Sequence, residues 1–547
     1  MKLKTSLFSG LCGLFLFGGL SACMTGLTDK KVSGYALMGG SVYTMDDQNT
    51  IAQALVMKGN KIVYVGNRES AKKFLSDDIK IIKTKGQMIL PGFIDTHSHV
   101  ISAFPNADDL RFKGDDNIED WLEQLRRYVR QYPDKKIIHG FGFSALAFGE
   151  AGPHKSLLDE IESKRAVILA DNGGHTLWVN SLTLALAGIT LQTLAETPET
   201  TAFYHRDSQG KLTGWLRGSA AIFHLFSKLP KALTESEALD TEAYYARVKK
   251  LWAYMNSLGL TSVFDAHMNG QEAKFGTILT ALDRAGKLPF RIVGTHPVFD
   301  PKNLDTAIER LQALQQNHQS KRLRFGAIKL ALDGTIESRT AGLLTPYAHD
   351  STNKGDEKFS REKLMQFVIK ADAAGVDLYM HSIGDRTTRN ALDAIAAARR
   401  INNSIGTTRH TLSHLHLVDK ADLPRFAQLD VMAQTTPIWH SKVPGYADAL
   451  GMRADRLFSF NAIVKTGARV IFGSDYPVAG LAPLVPVFNI ETGHTRREIG
   501  LPASAVLLPK NERLSVQQLI KGYTRDAAAW KIKSAHLKWV NWQMSLY

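Results

Sequence analysis

The chain has 547 residues, 44% hydrophobic and 22% charged, which is the composition of a folded globular protein with room for two or three domains. Lys and Arg outnumber Asp and Glu by 67 to 53, a formal net charge of +14, but the basic residues are spread along the chain. The densest basic patches, at Arg126-Arg127 and residues 321–324, are short and lack interleaved aromatic residues, so we expect no nucleic-acid partner.

The first 22 residues predict an export signal. Lys2 and Lys4 precede an apolar run from residue 7 to residue 20 that is too short for an ordinary transmembrane span. The following Leu-Ser-Ala-Cys resembles the bacterial lipoprotein signal, in which the chain is cut before the cysteine and that cysteine is lipidated. We therefore expect residues 1–22 to be removed and Cys23 to anchor an exported protein to a membrane of the bacterial cell envelope. An ordinary signal peptide with an incidental Cys23 is the alternative.

Cysteine usage limits the chemistry. Cys12 lies inside the predicted signal, so the mature chain would keep Cys23 alone. An intramolecular disulfide, a thiolate metal site and a cysteine nucleophile are thereby excluded. Any metal must be held by His, Asp, Glu or a modified Lys.

Residues 23–88 contain short runs that are typical of β-strands. Gly39-Gly40 and Gly59-Asn60 separate some of them as predicted turns. We expect a small antiparallel β unit with strands at 35–38, 41–44, 54–57, 61–65 and 79–83.

Residues 91–99 read as a buried strand with a polar end. Successive strand side chains point to opposite faces, so His97 and His99 would project to one side, which is a chelating arrangement. By itself the His-x-His spacing is weak evidence, because two unrelated surface histidines give the same pattern.

Residues 106–240 have a mixed pattern, with a helix expected at 118–132 and strands at 136–140 and 166–171, and we interpret this region as an insertion. Regular alternation of apolar strands with amphipathic helices begins only after it, for example with the helices 360–374 and 386–399. The strands are expected at 260–265, 290–295, 325–332, 376–381, 409–415, 430–435 and 468–474. With the strand at 91–99 these make eight, which predicts an α/β fold, a (β/α)₈ TIM-type barrel formed by residues 89–105 and 241–530.

Polar residues follow five of these strands, at the barrel end where catalytic groups lie. They are His97, His99, Lys329, His381, His414 and Asp475. Each histidine alone is more often a hydrogen-bonded core residue, and Asp475 could cap a helix. Lys329 is harder to dismiss, because an ammonium in an apolar strand must be paired, reach solvent or be chemically altered.

Eight stretches together resemble the amidohydrolase superfamily, in the branch that includes N-substituted formamide deformylases. They are residues 91–99, 174–181, 262–265, 328–334, 381–385, 409–414, 473–478 and 523–525. The resemblance extends over the mature chain to about residue 530.

The resemblance implies a metal centre of His97, His99, carboxylated Lys329, His381, His414 and Asp475, holding one or two divalent ions, with zinc expected. It implies hydrolysis of a carbon–nitrogen bond in a small amide or formamide by metal-activated hydroxide, with Asp475 as the catalytic proton shuttle. It also places His175 and Trp178 at the substrate, with packing inside the insertion as the alternative.

The resemblance further implies a β-sandwich built from residues 23–88 and the carboxyl end of the chain. Residues 531–547 do not match the closing motif of relatives, but another reading frame can spell it, so we expect a frameshift near Trp530. A second departure is Ser413, where many relatives have an acid.

Two other functions are open from the sequence. One is a catalytically idle relative used for binding or regulation, against which the complete ligand set argues. The other is a glycosidase, which would need paired carboxylates rather than histidines. The oligomeric state does not follow from the sequence.

Overall fold

The computed structural model describes residues 32–102, 110–112, 117–171, 174, 176–193, 196–197, 200–201, 203–230, 240–443, 445–478 and 482–529. The predicted signal with Cys23, His175 and the 531–547 tail lie outside these ranges. The chain divides into two compact units, one of Met1–Val42 with Ile51–Ile89 and the other of Tyr43–Thr50 with Leu90–Tyr547.

The smaller unit contains one mixed sheet in the order β3-β2-β1-β4, with β5 also paired to β1. Its strands are β1 Gly34–Tyr43, β2 Ile51–Lys58, β3 Lys61–Gly66, β4 Ile79–Lys83 and β5 Met88–Ile89, and helix α1 is Arg68–Ala71. The β2–β3 pair is antiparallel, as predicted, but β1 pairs in parallel with β4 and β5, so a purely antiparallel unit was wrong. The second layer of the predicted sandwich would come from residues outside the described ranges.

Gly39-Gly40 does not form the predicted turn, because β1 runs through both residues. A Cβ atom at Gly40 would lie 2.3 Å from the Gln87 carbonyl oxygen. Gly40 therefore allows a close approach of two chain segments, a role that the sequence pattern cannot distinguish from a turn.

The larger unit contains the predicted barrel, a sheet of eight parallel strands. Each lies within or overlaps its predicted range: β6 Phe93–Ser98, β15 Leu260–Asp265, β16 Arg291–Val298, β17 Leu323–Ala331, β18 Asp377–Ser382, β19 Thr411–His414, β20 Met432–Thr435 and β21 Val470–Phe472. The chain just after β21 returns to β6, where Asp475 N donates to His97 O at 2.7 Å and His99 N donates to Tyr476 O at 2.8 Å. These bonds join the first and last strands at the end that carries the polar residues.

Helices precede, connect or follow the barrel strands in the chain. They are α6 Thr241–Ser257, α7 Glu272–Arg284, α8 Leu304–Asn317, α9 Arg361–Ala373, α10 Asp385–Asn402, α11 Arg425–Gln428, α12 Tyr446–Leu450, α13 Phe460–Lys465, α14 Pro486–Thr495, α15 Val516–Tyr523 and α16 Arg525–Ala528. The largest apolar core lies between these helices and the strands, and a smaller cluster that includes Ile94, Ala327, Tyr379 and Ile471 is formed by alternating strand residues. In the described ranges no helix combines the length and apolarity needed to span a membrane.

A second sheet lies between the first and second barrel strands in the sequence, in the region interpreted as an insertion. It has the order β13-β14-β10-β9-β8-β7, with separate apolar cores. Its strands and helices are β7 Leu110–Arg111, α2 Ile118–Gln131, β8 Ile137–Phe143, α3 Ser156–Asp159, β9 Ala166–Asp171, β10 Thr176–Val179, α4 Ser181–Leu186, β13 Phe203–Arg206, β14 Leu212–Arg217 and α5 Ser219–Lys228; a separate pair is β11 Glu196–Thr197 and β12 Thr200–Thr201.

Candidate metal centre

Strand alternation places two of the predicted ligands. Lys329 follows Ala327 by two residues on β17, and His381 follows Tyr379 by two residues on β18. Ala327 and Tyr379 belong to one apolar cluster, and alternate residues of a strand share a face. Lys329 and His381 therefore point to the same inner face as Ala327 and Tyr379, nearer the carboxyl ends of their strands, with Lys329 opposite Tyr379 in the register.

Three predicted ligands lie close together: His97, His99 and Asp475 offer one ligand atom each, all within 4.8 Å of one another. The Nε2 atom of His99 is 3.1 Å from Oδ1 of Asp475, and Nε2 of His97 is 3.5 Å from the same oxygen. Two histidines from β6 and one acid that follows β21 thus meet where the barrel closes.

His414 joins this group through a local change in the backbone. Ser413 Oγ lies near Lys329, so a regular strand would turn the next side chain to the opposite face. His414 instead has φ 77°, and its Nδ1 lies 3.8 Å from Oδ2 of Asp475. Asp475 itself has φ 51°. Left-handed backbone at residues other than glycine costs free energy and is concentrated at functional sites.

The fourth histidine and the lysine complete the group. The His381 ring lies 4.5 Å from the ring of His414, measured between centroids. The Lys329 ammonium is buried, lies 4.9 Å above the ring of Tyr379 and makes one long hydrogen bond of 3.5 Å to Ser413 Oγ. The structure therefore brings together all six residues that the sequence proposed as ligands.

Asp333 orients His381. Its Oδ1 lies 3.0 Å from Nδ1 of His381, and its carboxylate accepts backbone N–H groups of Gly342, Ile383 and Gly384 at 2.9 to 3.2 Å. Carboxylates commonly hold the outer nitrogen of a metal-binding histidine in this way.

Asp385 has other partners. It accepts the N–H of Leu344 at 2.9 Å and pairs with Arg456 at 3.6 Å.

His97 is oriented by residues that the sequence did not single out. Its Nδ1 lies 3.2 Å from Oε1 of Gln434 and 3.0 Å from the Tyr379 hydroxyl, which leaves Nε2 facing Asp475. Gln434 and Tyr379 are interior positions of β20 and β18, so strand alternation could have indicated them.

The electrostatics of the group suit metal ligation. Burial, with the neighbouring Lys329 charge, lowers the pKa of His99 to about 3 and the pKa of His97 well below its usual value. Both imidazoles are then neutral near pH 7, the form that binds metal. Burial also raises the pKa of the Asp475 carboxyl and lowers the pKa of the Lys329 ammonium. Neutral imidazoles beside a carboxylate are a donor set that fits zinc and related divalent ions.

Trp178, a predicted substrate contact, lies inside the insertion. Its side chain is fully buried, its indole N–H donates to His154 O at 3.0 Å, and it packs on Phe143 and Phe148. This is the packing arrangement that the sequence left as the alternative. A contact with substrate stays a prediction.

A cavity of about 530 Å³ opens beside the group and is lined by His381, His414 and Asp475. Its other walls are largely apolar and aromatic: Ile383, Ile438, Trp439, Val443, Tyr446, Val478, Ala482, Phe488 and Ile499. Trp439 stacks on His414 with 5.9 Å between ring centroids. Cavities of this size with a few polar groups are typical small-molecule sites.

Comparison with known proteins agrees with this geometry. A sequence model of the amidohydrolase family matches residues 80–531. An N-substituted formamide deformylase of Arthrobacter pascens is 26% identical over 513 residues, covering 90% of this chain and 88% of the relative. An exoenzymes regulatory protein of Pectobacterium carotovorum is 26% identical over 408 residues, covering 73% and 84%.

Among solved structures, an uncharacterized metal-dependent hydrolase of Pyrococcus horikoshii has 24% identity and a TM-score of 0.66 over 91% of this chain and 93% of that one. A similar protein of Pyrococcus furiosus has 23% identity and a TM-score of 0.64, covering 91% and 95%. At these identities the likeness establishes the shared fold.

Proposed function

The chain belongs to the amidohydrolase family and is a hydrolase of carbon–nitrogen bonds, and on that premise we propose that its substrate is a small amide or formamide. The observation that carries the proposal is the cluster of His97, His99 and Asp475 at one end of the barrel, with His414, His381 and Lys329 nearby, beside a cavity of about 530 Å³. The formamide preference rests on the deformylase relative.

The residues proposed to hold metal are His97, His99, Lys329, His381, His414 and Asp475. A divalent ion held there, with zinc the first candidate, supplies a Lewis acid and a water that ionises near neutral pH. A site for two such ions would need an anionic ligand in addition to the histidines and Asp475.

Lys329 is proposed to become that anion by reaction with carbon dioxide. Its neutral amine would form a nitrogen–carbon bond to carbon dioxide and lose one proton. Burial lowers the pKa of Lys329, so the neutral amine is accessible near pH 7. The long hydrogen bond of Lys329 supports the same change. A buried amine with such weak hydrogen bonding is poorly compensated, whereas a carbamate at this position could coordinate the metal.

Asp475 is the proposed proton shuttle. Its carboxylate would accept the proton of the attacking water and pass it to the nitrogen that leaves. Its raised pKa suits this exchange, because burial brings the pKa of the acid closer to the working pH. The apolar walls and Trp439 would exclude bulk water from the reacting bond.

The test is metal content of the purified mature protein by elemental analysis, together with hydrolysis of a panel of N-formyl and N-acetyl amines. We expect about two equivalents of transition metal for a bridged centre, and a lower content in Lys329→Ala. Lys442→Ala removes an exposed lysine on the same cavity and should keep its metal. A folded protein that takes up no divalent ion in the presence of bicarbonate would contradict the proposal.

We also propose that the protein is exported and anchored to a membrane of the cell envelope through lipid on Cys23. Cell fractionation of wild type and Cys23→Ser tests this, since the variant cannot be lipidated and should leave the membrane fraction. Equal membrane association of both proteins would contradict the anchor.

A further inference from the structure

Glu337, a half-buried residue, borders the candidate substrate cavity and has no role in the centre described above. It follows β17 in the chain, after Lys329 and Asp333, and also borders a smaller polar cavity of about 180 Å³. Its Oε1 accepts a hydrogen bond from the Tyr446 hydroxyl, which fixes the direction of the carboxylate. Oε2 is buried and has no hydrogen-bond partner among the described residues.

His416 extends the same acceptor surface. Tyr446 gives its only proton to Glu337, so its oxygen can accept from Nδ1 of His416, 3.4 Å away. With that proton on Nδ1, Nε2 of His416 can act as an acceptor, and it is buried without a partner among the described residues. Glu337 and His416 therefore place adjacent acceptors on this wall, while Thr335, Ser441 and Lys442 line other parts of the cavity.

The charge of Glu337 is not balanced nearby. Arg217 and Arg339 border the smaller cavity, but Glu337 forms no ion pair with any described residue. Burial raises its pKa and outweighs the hydrogen bonds from Tyr446, from its own backbone and from Thr335. A carboxylate partly removed from water without an ion pair costs free energy, and a ligand cation would offset that cost.

We propose that Glu337 selects substrates that carry a protonated primary amine in addition to the amide that is cleaved. The ammonium would pair with the Glu337 carboxylate, while the carbon chain packs on apolar residues such as Ile438 and Val443. This rests on the proposed function, since it names the substrate class of the same cavity.

The experiment compares monoformyl cadaverine, which carries an ammonium, with N-hexylformamide, which has a methyl group in its place. The metal-loaded wild type should show a kcat/KM about 10- to 100-fold higher for the ammonium compound, the range of a hydrogen bond to a charged group. Glu337→Gln keeps an acceptor for Tyr446 and should reduce this ratio at least ten-fold, mainly by raising KM.

Glu498→Gln is the matched control. Glu498 also borders the cavity but is exposed, so its charge is screened by solvent. This variant should change the ratio by less than two-fold. Two outcomes would overturn the assignment to Glu337. One is an equal kcat/KM for both substrates in the wild type, and the other is a fall of the kcat/KM ratio in Glu498→Gln as large as in Glu337→Gln.

Binding of hexylammonium and hexanol, measured by calorimetry, separates the two proposals. If neither formamide is hydrolysed yet hexylammonium binds more tightly than hexanol and Glu337→Gln abolishes the difference, the recognition stands and the proposed reaction fails. If both formamides are hydrolysed and Glu337→Gln leaves the preference unchanged, the reaction stands and the recognition fails.

Discussion

Some side chains around the candidate metal centre supply ligands, and others fix the orientation of the histidine rings. Asp333 lies 3.0 Å from Nδ1 of His381, while Gln434 and Tyr379 both contact Nδ1 of His97. These contacts set which nitrogen of each ring faces the candidate metal centre. A defect in any of them should lower metal affinity without removing a ligand.

Asp333→Asn should weaken metal binding by about 10- to 100-fold, because the amide is a poorer partner for the outer N–H of His381. Competition with a chromogenic chelator measures the dissociation constant. Asp385→Asn is the control, since Asp385 is the first acid after His381 in the chain but contacts Leu344 and Arg456 instead. If both substitutions weakened metal binding equally, Asp333 would act only by stabilising the surrounding backbone and not by orienting His381.

Asp475→Asn should lower kcat by about 10²- to 10⁴-fold at saturating metal, because an amide cannot accept the proton of the attacking water. Steady-state kinetics with excess divalent ion measures this separately from metal loss. Asp475→Glu, which restores a carboxylate, should recover part of the rate. A loss below ten-fold in Asp475→Asn would assign the proton transfer to another group.

Between elements, a buried charge cluster ties two helices to the strand that carries His414. Asp372 on α9 pairs with Arg399 on α10 at 2.8 Å, and both contact Thr408, just before β19. His410 Nε2 also lies 3.2 Å from Asp372. All four side chains are buried, so the cluster constrains the outer layer behind β18 and β19.

Asp372→Asn should lower the free energy of unfolding by about 3–5 kcal/mol, because it leaves Arg399 buried without its counter-ion. Denaturant unfolding measures the change. Glu119→Gln, which breaks an exposed pair with Arg126, should cost less than about 1 kcal/mol. A cost for Asp372→Asn no larger than for Glu119→Gln would mean that the cluster adds no net stability.

The same cluster predicts a dependence of stability on pH. Burial raises the pKa of Asp372, but hydrogen bonds from His410, Ser404, Thr408 and Asn402 outweigh it and lower that pKa overall. A lowered pKa in the folded state gives stability that is complete above the unfolded pKa of 3.8 and is lost as pH falls below it. Melting temperatures from pH 6 to pH 3 should therefore fall less steeply in Asp372→Asn than in wild type.

In the whole molecule, the proposed metal links the first strand of the barrel to the last. His97 and His99 belong to the β6 end and Asp475 follows β21, so an ion shared by them would hold the closure together. Removing the ion with a chelator should abolish hydrolysis and lower the melting temperature. At a free metal concentration 1,000 times the dissociation constant, linkage predicts about 4.1 kcal/mol of stabilisation.

Calorimetry with and without chelator, followed by addition of zinc, checks this prediction. The Lys329→Ala variant should show a smaller shift than wild type. Loss of activity without any change in melting temperature would contradict tight binding of the ion to the folded protein.

Much of the architecture follows from the sequence by itself. Apolar strands alternating with amphipathic helices can bury their apolar faces together in only a few ways, and eight such units indicated the barrel. The strand at 260–265 was predicted to the residue, because its apolar run ends at Asp265 and begins after a glycine turn. Ligands at strand ends could be predicted for the same reason, since alternation places Lys329 and His381 on the inner face of the barrel.

The tertiary structure decided what depends on contacts between distant residues. The parallel pairing of β1 with β4, the close approach at Gly40, and the left-handed backbone at His414 and Asp475 have no local signal in the sequence. The same is true of Asp333 beside His381 and of Glu337 beside the cavity. Sequence periodicity reports which face of an element is buried, whereas partner, register and orientation are set by packing between elements.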